Sequence, residues 1–420
     1  MRSARRFGRP LVRALVLVGA VVAIGLVVRD ATDESTQLEA PPPQQVDLRN
    51  GRVFTHDNLW THGDEQYAVW TAPDGTPYVG RRQRGGDRWV TVNLARVPGN
   101  PLGAPTEDDL HNVYAVAVDA EGFVHVAGNM HNDAVRYIRS VRPRDLSEWT
   151  AVGLPGPSAK VTYPTFVRLV DGSLLFFHRE GITGDGSVVL HALPAGEDEW
   201  RSWGVLLAGQ PTEESPYLHE AVVDPATGTV HVMFSWRIKG LEGGIETTND
   251  LGYARSTDSG RTWETSEGRP LSTPISHPAA ETILETPDTG SGMRNQGGMT
   301  LDAEGRPHGV VLFEHGPGVR GYTHVWLDAT GWHRQRVPPA IDARPAIAGS
   351  RDGGVWLLGS RGGTIVAVEL TRGDLEERRV GAARRSWEVS FDAMAWRDHG
   401  TVEMLVPSGR EPHVLVADLS

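Results

Sequence analysis

The sequence predicts an all-β fold, a seven-bladed β-propeller. Three observations carry that prediction. A strand–turn–strand unit recurs at intervals of roughly 50 residues, most units turn on an acidic-Gly pair, and several place a Trp beside an outer strand. Long amphipathic helical stretches are absent, and a β-helix would repeat at a shorter interval.

The turns fall at Asp74-Gly75, Glu121-Gly122, Asp171-Gly172, Thr227-Gly228, Glu304-Gly305, Asp352-Gly353 and His399-Gly400. Glycine accepts the positive φ that tight hairpin turns demand. The stretch between Gly228 and Gly305 is the longest and holds an insertion. Trp89, Trp149, Trp200, Trp263, Trp332 and Trp387 stand where an aromatic ring packs between blades. Ser256-Thr257-Asp258-Ser259-Gly260-Arg261-Thr262-Trp263 is an Asp-box, whose carboxylate bonds turn amides while the Trp packs beneath, a structural device. A strand near Arg52 to Thr55 is expected to join the last strands, Phe391 to Leu419, and close the ring.

The 420 residues, 39% hydrophobic and 22% charged, suffice for one large all-β domain. A net charge of -12 argues against a nucleic-acid partner, although a local Arg/His cleft can still hold an anion. There is no cysteine, so disulfides and a thiolate zinc site are excluded; no metal-ligating residues are assigned, and a structural calcium in a loop stays open. Arg2, Arg5, Arg6, Arg9 and Arg13 precede the apolar run Ala14 to Val28, a signal-peptide or anchor pattern over residues 1–29. Residues 30–50, with Pro41-Pro42-Pro43, read as a disordered linker and 51–420 as the propeller. The expected protein is a monomer, secreted or anchored on the outer face of the cytoplasmic membrane, touching lipid only through its N-terminal segment.

Chemistry concentrates in two neighbouring units. The dipeptides His111-Asn112 and His131-Asn132 lie twenty residues apart, each at a strand end near one rim, whereas His125 sits inside a strand and reads as structural. Tyr163 opens an inner strand and Arg179, sixteen residues on, ends the next, so both can face one end of the ring. Arginine is a fixed cation whose planar fork suits a carboxylate. In the following unit Tyr217 and Trp236 are either sugar-stacking aromatics or core, and Asn249 is a candidate for the same cleft.

The runs HNVYAVAVDAEGFVHVAGNMHNDAVRYIRS, TYPTFVRLVDGSLLFFHREG, YLHEAVVDPATGTVHVMFSWR and TNDLGYARSTDSGRTW resemble the BNR-repeat propellers that include the ulvan-lyase-like polysaccharide lyases. The resemblance covers about Asp109 to Glu314. It implies a seven-bladed propeller that cleaves an acidic, uronate-containing polysaccharide by β-elimination, with His111, His131, Tyr163 and Arg179 as catalytic residues. It further implies Tyr217 at the substrate, and Asn112 and Asn132, beside the two histidines, are expected to bind substrate as well. Some members carry a structural zinc on thiolates, which this chain cannot do.

The residue types suit that chemistry. β-Elimination needs a base for the C5 proton, an acid for the departing C4 oxygen, and a cation for charge building on the carboxylate. One of the two histidines with Tyr163 forms the base/acid set, and Arg179 is the carboxylate partner. A sialidase-like glycoside hydrolase, suggested by the Asp-box, needs an Arg cluster with a Tyr–Glu pair, a spacing the sequence does not show. A non-catalytic glycan-binding propeller is the third reading, since propellers host many functions.

Overall fold

The computed structural model describes residues 57–419 apart from 73, 105–108, 110, 183, 210–213, 239–247, 315–319, 339, 343, 372–374, 383–387 and 407–411. The expected signal or anchor (1–29), linker (30–50), closing strand near Arg52 to Thr55, and Trp387 lie outside these residues. Among the described residues no helix is long and apolar enough to cross a membrane.

Seven antiparallel sheets follow one another along the chain. Their inner strands are Leu59–His62 in blade I, Tyr114–Val118 in II, Val161–Arg168 in III, Glu214–Val223 in IV, Gly298–Leu301 in V, Ala346–Gly349 in VI and Ser390–Phe391 in VII. Blade IV holds the insertion, with short extra strands at Trp263–Glu264, Pro270–Leu271 and Glu281–Leu284. In blades II to VI the expected Gly turn joins the inner strand to the next, whereas in blade I Gly75 joins the second strand, Glu65–Thr71, to the third, Pro77–Gln83. Gly122 and Gly172, each at φ +90°, donate their amides to the carbonyls of Asp119 and Leu169. The seventh pair differs: Gly400 (φ +67°) ends the helix Ala393–His399 rather than turning a hairpin. A left-handed glycine serves a helix C-terminus as well as a turn, and the dipeptide alone does not separate them.

Blades pack face to face, so strands such as Val230–Ile238 are buried along nearly their whole length instead of alternating. The tryptophans lock neighbours together. Trp200 of blade III donates to Tyr137 Oη of blade II at 3.1 Å, and Trp332 of blade V donates to Glu281 of blade IV at 2.9 Å. Trp89 of blade I donates to the Pro412 carbonyl of blade VII at 3.2 Å and shares one hydrophobic cluster with Leu405 and Val414. At that seam Asp392 accepts from the Thr61 hydroxyl (2.6 Å) and Glu403 from Gln66 (2.6 Å). The Asp-box folds as a structural device: Asp258 accepts from the Thr262 amide at 2.8 Å, and Trp263 Nε1 donates to the Gly260 carbonyl at 3.0 Å. His125 is likewise scaffold, fully buried between Tyr137 and Asp119.

Candidate active site

One short strand breaks the blade rule, and it builds the site. His131–Asp133 lies between two strands of blade II but pairs with the inner strand of blade III, setting His131 opposite Thr162. Thr162 in turn stands opposite Arg179. Cross-strand neighbours share a face, so His131, Thr162 and Arg179 form one row across three strands. Two irregularities shape that row. Asn132 takes φ +62°, and Tyr163, at φ +59°, sits in a bulge where the pairing slips between Thr162 and Thr165. Such backbone is unusual for a non-glycine residue and re-aims its side chain.

His111 arrives from the loop before blade II. Its ring stacks on His131 with centroids 4.0 Å apart and 19° between planes. A single carboxylate spans both rings: Asp109 Oδ1 meets His111 Nδ1 at 2.8 Å and also accepts the His111 amide at 3.0 Å, while Oδ2 meets His131 Nδ1 at 2.5 Å. Facing a carboxylate, both Nδ1 atoms are assigned as the donors of these bonds. Among the described residues His131 Nε2 is buried with no hydrogen-bond partner. The His111 ring faces Tyr163 at 5.9 Å, and Tyr163 faces Tyr217 at 6.1 Å.

Arg179, only 3% exposed, holds this group together. Its Nη1 donates to Tyr217 Oη at 3.0 Å, and its Nη2 donates to Asn132 Oδ1 (2.7 Å) and Thr162 Oγ1 (3.1 Å). The guanidinium lies 5.2 Å from the Tyr163 ring centre and 5.3 Å from that of Tyr217. Arg237 adds a second guanidinium, donating to Tyr217 Oη at 3.3 Å.

The electrostatics separate the two phenols. Burial pushes Tyr163 up, with Arg179 opposing, so it stays a protonated phenol. Burial alone would also raise Tyr217, but the two guanidiniums outweigh it and the net shift is downward. Burial lowers His111, against the pull of Asp109. The Asp109 carboxyl feels burial upward, yet the hydrogen bonds from His111 and His131 bring it below its usual range.

The structure thus gathers His111, His131, Asn132, Tyr163, Arg179 and Tyr217. Asn112 adjoins His111, its amide donating to the Asp109 carbonyl at 3.2 Å. Two expectations are corrected. Trp236 is completely buried, stacked on His277 at 5.0 Å and edge-on to Phe234, so it offers no face to a sugar. Asn249, opposite Trp236 in the sheet and 1% exposed, is interior as well. Asp109 and Arg237 complete the site without having been assigned to it. An acidic residue two before His111 was the available signal for Asp109, whose bond to His131 only the fold reveals.

The fold and this cluster of imidazoles, phenols and guanidiniums define a β-propeller with one polar site, and sequence comparison narrows it. Residues 65–340 match the BNR repeat-containing family, and the chain belongs to that family. It is similar to the PL25 ulvan lyase of Pseudoalteromonas sp. (strain PLSV), 22% identical over 279 residues, covering 58% of this chain and 54% of the relative. The match therefore spans about half of that protein's length. The solved structure of a PL25 ulvan lyase superposes with a TM-score of 0.67 at 15% identity, over 88% of this chain and 92% of that one. A second polysaccharide lyase gives 0.65 at 17% identity, over 93% and 96%. At such identities the likeness defines the fold. The PL25 lyase is also known bound to a glucuronate-(1-4)-rhamnose 3-sulfate fragment, at 14% identity and a TM-score of 0.67.

Proposed function

We propose that this protein is a polysaccharide lyase that cleaves a uronate-containing polysaccharide by β-elimination. The observation that carries the reading is the convergence of His111, His131, Tyr163, Arg179 and Tyr217 within one row-built cleft. Family membership and the named lyases of like fold support it.

In this mechanism the uronate lies against the partly exposed Tyr163, its carboxylate drawn toward the field of Arg179 and Arg237, while the buried Tyr217 holds those two guanidiniums from behind. Withdrawal of charge onto that carboxylate acidifies the C5 proton. His111, at 34% side-chain exposure against 22% for His131, is the more accessible base and takes the proton through Nε2. Asp109 fixes its tautomer and steadies the imidazolium that forms. Tyr163, held protonated, gives its proton to the departing C4 oxygen. The C4–O bond breaks, and a C4=C5 double bond conjugated to the carboxylate remains. His131 and Asn132 orient the sugar and Arg179.

The test is a spectrophotometric screen of uronate polysaccharides, including a glucuronate–sulfated rhamnose polymer. New reducing ends should appear together with the ultraviolet band of the unsaturated product. Reducing ends without that band would make the protein a hydrolase, and affinity without turnover would make it a glycan-binding module.

The arginine-flanked apolar run in residues 1–29 supports export with the propeller outside the cytoplasmic membrane, as a secreted or tethered monomer. Cell fractionation with a C-terminal tag would sink this if the protein stays in the cytosol.

A further inference from the structure

We propose that Asp109, His111 and His131 form a binding site for a single borderline divalent cation of the zinc class, and that loading it switches the elimination off. One donor atom from each of the three lies within 4.8 Å of the other two. Two imidazole nitrogens and one carboxylate oxygen make a donor set suited to first-row dications, with remaining positions open to water or ligand. Side-chain exposures of 34% for His111 and 30% for Asp109 leave a path for entry from solvent.

The donors are already gathered. Donors around tetrahedral zinc, with bonds of about 2.0–2.2 Å, stand roughly 3.4 Å apart. The present Asp109 contacts are 2.8 and 2.5 Å and the two rings stack 19° from parallel, so the rings must splay before both Nδ1 lone pairs aim at one ion. Charge favours entry, because one carboxylate faces two imidazoles. The Arg179 guanidinium opposes it, although its donors are committed to Tyr217, Asn132 and Thr162.

The consequence for chemistry follows from proton positions. Each ring now holds its hydrogen on Nδ1, toward Asp109. To ligate, a ring moves that hydrogen to Nε2 and gives the Nδ1 lone pair to the ion, with no net change in protons. Nε2 then bears N–H where the elimination needs an acceptor. Ion and reaction exclude one another, so the same three residues serve as a base assembly or as a chelate. The binding half stands without the lyase reading. The switching half rests on it, and the two can fail separately.

The experiment uses full-length protein stripped with a chelator, then dialysed against zinc chloride and analysed for bound metal. Wild type should retain one equivalent. Asp109→Asn and His131→Gln should weaken retention by at least about tenfold, whereas Tyr163→Phe, which removes no donor, should keep it. Zinc should also slow formation of the unsaturated product on a polymer the enzyme cleaves, with full recovery on adding chelator. Absence of retained zinc, or unchanged stoichiometry in both ligand variants, overturns the site. Stoichiometric zinc with undiminished elimination overturns the switch. Melting curves of the metal-free variants check folding. If they fail to fold, the visible spectrum of cobalt-loaded wild type decides: an intense four-coordinate band supports the chelate, and the weak spectrum of the hydrated ion refutes it.

Discussion

Two stacked imidazole pairs in neighbouring blades live under opposite conditions. His111 and His131 are partly exposed and share the carboxylate of Asp109. His178 and His191 stack at 5.3 Å on the strands of blade III, Nε2 to Nε2 at 3.2 Å, both essentially buried. Burial pushes His178 down to about 3, with His191 adding to the effect, and lowers His191 to about 4. The interior pair is thus neutral scaffold, and the rim pair is supplied with a proton acceptor. A ring's neighbours, more than its type, decide whether it does chemistry.

The sharpest way to break this contrast is at the rim. Tyr163→Phe should lower kcat by about 10²–10⁴-fold, the usual worth of a general acid, while glycan affinity by calorimetry stays near wild type. Equal loss of both would make Tyr163 a binding residue. Next, Trp236→Ala should cost about 3–5 kcal/mol of stability, as for other buried aromatics, without changing KM once folded. A selective rise in KM would return Trp236 to the sugar. Asp109→Asn should reduce kcat by about 10–100-fold by unfixing both tautomers, whereas His191→Leu should leave turnover unchanged. Indifference of the enzyme to Asp109→Asn would dissolve the distinction between the pairs.

The smallest effect concerns acid. Below about pH 6.5 the unfolded chain protonates His178 and His191, while the folded chain leaves them neutral until pH nears 3–4. The unfolded state then binds more protons, so stability falls with falling pH, by about 1.4 kcal/mol per pH unit for each silent ring. His324, lowered to about 3 by burial beside His308, adds to the same slope. Denaturation midpoints between pH 7 and 4.5 should decline less steeply in His191→Leu. Parallel slopes would show that the interior pair is already charged.

Much of the fold was readable because a propeller repeats its local chemistry. Six Gly turns announce themselves by residue type, and the Asp-box by its hydroxyl–carboxylate–Trp spacing. The seventh pair misled because Gly400 closes a helix with the same left-handed backbone. The site was legible where two histidines, a Tyr and an Arg kept telling intervals. It was illegible where it depends on tertiary placement. Trp236 lies on a strand buried on both faces, so no alternation marks which side meets solvent. Asp109 reaches His131 only because residues 131–133 leave their own blade.

The left-handed backbone at Tyr163 and Asn132 bears on transplantation. Grafting the same side chains onto regular strands of another propeller would supply every functional group and still miss the reaction, since the kinks that turn them toward one another would stay behind. The unit to be copied is therefore a main-chain irregularity with its residues attached.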